Sequence, residues 1–207
     1  DNTLHDAEDF AQLLLTTIGF QVVLLTDATG LVTKTLMKKL RREFLSTLAG
    51  MGPANTVVIF AYMGHGAEYD GMQYLLPQDW GGGEVELKWD GPTLKDEAMC
   101  LQETLQQIED KKPLATLAFL DCCREHVEVR GDIFGAGGLS ALPGPAGSLV
   151  MYATGQGKLA GDGTGQRNGA FTTALLKHFA APGVTLEQMV VNVRNDVRQS
   201  TVESGVT

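Results

Sequence analysis

Two residue types in this chain have the chemistry of a nucleophile and its base: the adjacent cysteines Cys122 and Cys123, and His65, set between glycines in M-G-H-G. A cysteine attacks as its thiolate, and a histidine within hydrogen-bond reach takes the thiol proton and stabilises the anion. The flanking glycines let a substrate approach the backbone closely. The N–H of Gly66, with that of the nucleophile, is therefore a candidate oxyanion donor. Each residue alone has an ordinary structural explanation, because cysteines fill cores and most histidines are simply hydrogen-bonded. Their shared position at the ends of apolar runs argues for more.

Those runs are Thr56 to Gly66, T-V-V-I-F-A-Y-M-G-H-G, and Leu114 to Glu125, L-A-T-L-A-F-L-D-C-C-R-E. Both have the length and the Val, Ile, Phe and Leu content of buried strands, and both end in polar, reactive residues. Open α/β sheets bind ligands outside the carboxyl ends of their parallel strands. If the two runs are parallel neighbours, His65 and a cysteine of the 122/123 pair share that edge.

The remaining pattern supplies a scaffold. Leu4, Ala7, Ala11, Leu14 and Ile18 recur at helical spacing, and Gly19 stops that helix before the strand-like Phe20 to Leu25. A second helix is expected over about Val32 to Leu48, with Leu36, Leu40, Phe44 and Leu48 inward and Lys34, Lys38, Arg41 and Arg42 on a solvated face. A polar loop follows His65, then a strand over Met72 to Pro77. The β-α-β-α-β alternation implies an α/β fold with a mostly parallel central sheet. Asp79 to Leu94, with Trp80 and Trp89, reads as an excursion from the core. Cys100 to Ile108 is a helix, His126 to Gly147 a long loop, Ser148 to Ala153 a strand, and Ala170 to Phe179 and Thr185 to Ser200 are helices.

Composition narrows the function classes. The net charge of −9, from 25 acids and 16 bases, argues against nucleic acid as partner, since phosphate binding is mostly cationic contact. Three cysteines, two of them adjacent, suit free thiols in a reducing compartment and a cytoplasmic location better than a disulfide framework. No apolar run reaches membrane-spanning length and no signal sequence is present. At 207 residues one domain over 1–207 is expected, and its helical ends suggest a domain of a longer protein. His5, His65, His126 and His178 lack metal-ligand spacing, G-D-G-T-G lacks a phosphate-loop lysine, and no cofactor is indicated; calcium stays open.

The motifs resemble those of the caspase-like cysteine peptidases of family C14, closest to paracaspases and their bacterial relatives, with metacaspases further off. That family carries Y-Y-A-G-H-G, then L-D-A-C-R, then a Y-A-T segment; here they stand as A-Y-M-G-H-G, L-D-C-C-R and Y-A-T-G-Q-G. H-D-A, G-F-Q-V, Y-L-L-P-Q-D and F-T-T-A-L-L-K-H-F extend the similarity along essentially the whole chain. The distance from His65 to Cys123 is close to the roughly 50-residue interval of caspase-type sites. The resemblance implies a three-layer α/β/α sandwich, a first strand missing from this chain, and a His65–Cys123 dyad. Cys122 then occupies a usually small position and should point inward as filler, with a vicinal disulfide as the minor alternative.

The absence of Q-A-C-R-G argues against aspartate-specific caspases. By resemblance, Asp6, Asp121 and Asp162 form an acidic pocket for a substrate arginine, with lysine a weaker second choice. A guanidinium presents a planar fork of donors that carboxylates accept bidentately. Taken singly, the three acids would be a helix-start acid, a strand-end acid and a turn residue. Protein or peptide substrates, no membrane, dimerisation along a sheet edge and a processing cut after Arg130 complete the expectation. A catalytically silent scaffold and a Cys122/Cys123 redox sensor are the rival readings.

Overall fold

The computed structural model describes residues 2–80, 91–122, 125–126, 148–153 and 166–203. In chain order the helices are α1 (Thr3–Leu13), α2 (Lys34–Gly50), α3 (Gly91–Glu97), α4 (Leu101–Glu109), α5 (Ala170–His178) and α6 (Leu186–Glu203). The strands are β1 (Val57–Gly64), β2 (Gly66–Tyr69), β3 (Met72–Leu75), β4 (Met99–Cys100), β5 (Ala115–Cys122), β6 (Glu125–His126) and β7 (Ser148–Tyr152). They fall into two compact units, residues 27–159 and residues 1–26 with 160–207.

In the first of these, the two apolar runs pair as expected. β1, β5 and β7 form a parallel sheet in the order β1-β5-β7. Its central strand, β5, reads as a continuous apolar run because both of its faces are covered: Thr116 through Leu120 are all buried, with Ala118, Phe119 and Leu120 sealed from solvent. Thr33 caps α2, its side chain accepting from the Leu36 N–H at 3.1 Å. α4 buries Leu101, Leu105 and Ile108 as its spacing predicts, with Thr104 on the same face. Arg41 does not belong to a purely solvated face. Its Nη1 donates to Thr104 Oγ1 at 3.0 Å, because a guanidinium can bury its stem and still reach a partner.

The segment after His65 corrects the expectation of a polar loop there. Gly66–Tyr69 is not a loop but β2, and β3 runs antiparallel to it in a separate sheet of order β4-β3-β2-β6. Asp70 (φ 54°) and Gly71 (φ 70°) form the intervening two-residue turn. Positive φ at both positions is what a hairpin requires to match the strand twist, and Asp-Gly supplies it at little cost.

In the second unit, α1 packs through Asp6, Phe10 and Leu14; of the expected stripe Leu14 is buried, Leu4, Ala7 and Ala11 are half-buried and Ile18 is exposed. Phe10 meets the edge of Phe179 with centroids 5.6 Å apart, and this aromatic contact sets the buried face. A π-helical turn, Leu14–Ile18, continues α1 until Gly19 at φ +85°. α5 and α6 are joined at Asp196, which accepts from Lys177 Nζ at 2.7 Å and pairs with His178 Nε2 at 2.8 Å. The run Phe20 to Leu25, expected as a strand, pairs with no strand among the described residues, and Val23 is 64% exposed. A strand needs a neighbour for its backbone N–H and C=O groups, and apolar side chains alone do not provide one.

Phe119→Ala should cost about 3–5 kcal/mol in urea unfolding, because it opens a cavity in the sheet core. Val23→Ser should stay within about 0.5 kcal/mol of the parent, the outcome for an exposed residue outside any ladder of the described residues.

Candidate active site

A parallel ladder aligns the carboxyl ends of its strands. Here β1 and β5 pair from Val57↔Ala115 through Met63↔Asp121 to Gly64↔Cys122. His65 follows immediately, between β1 and β2, and is exposed. Asp121 is half-buried at the same strand end, and Cys122 is buried, the filler its position implies. The expected nucleophile Cys123, the acid Asp162 and the processing site Arg130 lie outside the described residues.

The main chain at His65 is held on several sides. Its carbonyl accepts from the Leu76 N–H at 3.0 Å, and the Tyr62 hydroxyl lies 2.8 Å from the same oxygen. That first bond also orients Gly66. In an antiparallel pair, residues alternate between exchanging hydrogen bonds and facing away. Because Leu76 bonds His65, the pair Gly66↔Leu75 is of the second kind, and the Gly66 N–H turns away from β3. This amide is not spent in the hairpin.

Cys100, the remaining cysteine, is also buried and free; burial pushes its thiol pKa up, which keeps it protonated and a poor nucleophile. Among the described residues no group of three His, Cys, Asp or Glu side chains is arranged to hold a metal ion. No described helix is long and apolar enough to cross a membrane.

Asp6 belongs to the other unit. It is 3% exposed and accepts from the Gly169 N–H at 3.0 Å, fastening α1 to the start of α5. Burial raises its pKa, and hydrogen bonds from Gly169 and Asn168 offset this in part. Neighbouring Asp9 behaves oppositely. Arg167 grips it through Nε at 2.8 Å and Nη2 at 2.7 Å, Asn168 adds a third bond at 3.1 Å, and its pKa is lowered chiefly by the Arg167 hydrogen bonds. Sequence reading missed Asp9, Arg167 and Asn168. R-N-G ahead of an apolar helix could have been read as a segment needing an anchor, but nothing local names Asp9 as the partner.

A parallel α/β sheet with a histidine after one strand and Asp-Cys ending its neighbour has the architecture of the caspase class. The family model described as the caspase domain, a cysteine-peptidase family, matches residues 1–206, and the chain belongs to that family. Among curated proteins no match is found.

The two acids predict opposite pH responses. Asp9, with its folded pKa below the unfolded value of about 3.9, contributes stability that is present above that pH and lost as pH falls through the folded pKa. Asp9→Asn should therefore lower the melting temperature at pH 7, with the gap to the parent closing on acidification below about pH 4. Asp6, with its folded pKa raised, is burdened by its charge at neutral pH and gains stability as pH falls through the raised value. Asp6→Asn keeps an acceptor for Gly169 and should melt no lower than the parent at pH 7.

Proposed function

We propose that this caspase-family chain is a cysteine endopeptidase of paracaspase type that cleaves after arginine. The observation that carries the reading is the register Gly64↔Cys122: it sets the residue before His65 opposite the residue before Cys123. In the proposed reaction His65 removes the thiol proton, and the Cys123 sulfur attacks the scissile carbonyl carbon. The oxyanion is met by the Gly66 and Cys123 N–H groups, and a Gly66 amide that turns away from β3 favours that role. Collapse breaks the C–N bond, and His65 passes its proton to the leaving amine. Water, deprotonated by His65, then hydrolyses the thioester and restores the thiol.

Asp6, Asp121 and Asp162 are proposed to receive the arginine. The half-buried position of Asp121 beside the strand end and the burial of Asp6, which among the described residues has no cationic hydrogen-bond partner, support this. A fixed positive charge is the ligand that such carboxylates favour. The free, buried thiol of Cys100 agrees with a cytoplasmic setting, and homodimerisation belongs to the same reading.

Matched fluorogenic peptides ending in arginine, lysine or aspartate, with and without calcium, test the proposal. Arginine peptides should be cut fastest, Cys123→Ala should abolish cleavage, and Asp121→Asn should lower kcat/KM on arginine by about 30-fold or more, the scale of a lost buried charge pair. A folded chain that cuts none of the three would favour the silent scaffold.

A further inference from the structure

Tyr62 does more than fill the sheet. Residues two apart in a strand share a face, and the Tyr62 hydroxyl leans over Gly64: a Cβ built there would lie 2.9 Å from its oxygen. Passing over that glycine, the hydroxyl reaches two main-chain carbonyls, His65 O at 2.8 Å and Leu76 O at 2.7 Å. A phenol has one proton, so the two acceptors share it as a three-centre bond. With the Leu76 N–H also on His65 O, both lone pairs of that carbonyl are engaged.

The far end of this tie is firm. Leu76 sits at 6% exposure in an apolar cluster with Ala67, Tyr74, Leu94, Ala98 and Cys100. The near end is an exposed residue at a strand terminus, where a main chain would otherwise fray. We propose that Tyr62 is the positioning residue for His65, its hydroxyl clamping the His65 main chain to the end of β3 so that the imidazole and the Gly66 amide keep one mutual geometry. The clamp needs the bare Gly64 beneath it. It is also indifferent to pH: burial above all, then the nearby Cys122, raises the Tyr62 pKa, so the hydroxyl keeps its proton throughout the working range. The imidazole part of this role rests on the peptidase reading above; the main-chain part does not.

Two variants and two readouts separate these possibilities. Tyr62→Phe deletes only the hydroxyl, and Gly64→Ala displaces it. With an arginine peptide, Tyr62→Phe should lower kcat by about 10- to 100-fold while KM stays within about twofold, the mark of a misplaced catalytic group rather than a lost binding contact. Gly64→Ala should do the same, and the double variant should be no worse than either single one, because both remove one interaction. Independently of activity, amide hydrogen exchange should quicken at Leu76 in Tyr62→Phe while the β5 amides stay protected.

Unchanged exchange at Leu76 would overturn the clamp whether or not the chain cuts peptides. Additive losses in the double variant would overturn it too, as would a parallel fall of kcat, KM and β5 protection, which marks general destabilisation. If the parent cuts no peptide but the Leu76 exchange still responds, the clamp stands and the peptidase reading is what fails.

Discussion

The eight-residue parallel ladder between β1 and β5 is the constraint on which everything at the candidate site depends. Successive strand residues are about 3.3 Å apart and face opposite ways, so a slip of one residue would move the Asp-Cys end by that distance and turn each side chain to the other face. The ladder is protected against such a slip by the burial of β5. Thr116 to Leu120 are covered on both sides, and a shift would have to repack both faces at once.

The site also rests on a second structure that branches from the first. His65 lies at the junction where the chain leaves the parallel sheet and enters the β2–β3 hairpin. Its carbonyl belongs to the hairpin ladder through Leu76, and Tyr62 of β1 reaches across to the same two residues. Tyr62 thus connects the two sheets at His65, the candidate base. The glycine beneath it has a steric reason, since a methyl group at 64 would occupy the hydroxyl's path.

In the other unit, polar contacts between distant parts of the chain do similar work. The carboxyl of Asp6 holds the first amide before α5, and Asp9 holds Arg167 and Asn168 just ahead of it. The bidentate pair lies at the surface, where an ion pair is worth little alone; its value here is directional, since planar groups fix the approach of one segment to another. Desolvation governs Asp6, whereas a hydrogen-bonding cation governs Asp9, three positions along the same helix. Two acids that look alike in sequence therefore respond to pH with opposite sign.

By itself the sequence determined the strongest local patterns: β1 and β5 from their apolar runs, β7 from S-L-V-M-Y-A, and α1, α2, α4, α5 and α6 from their spacing, with His65 and Asp121 at strand ends, whereas α3 lies partly in a stretch that reads as an excursion. These were legible because burial on one stripe or both faces leaves a periodic trace in residue type. The Asp70-Gly71 dipeptide suits positive φ, but no hairpin is read there from sequence: its flanks read as a polar loop and a following strand. Only the tertiary structure decided that β3 turns back on β2, that Phe20 to Leu25 stays unpaired among the described residues, and that α1 presents Asp6 and Phe10. The packing of α1 depends on partners far along the chain: the edge of Phe179 and the amide of Gly169. Local periodicity records whether a residue is buried, and it carries no information about which distant group buries it.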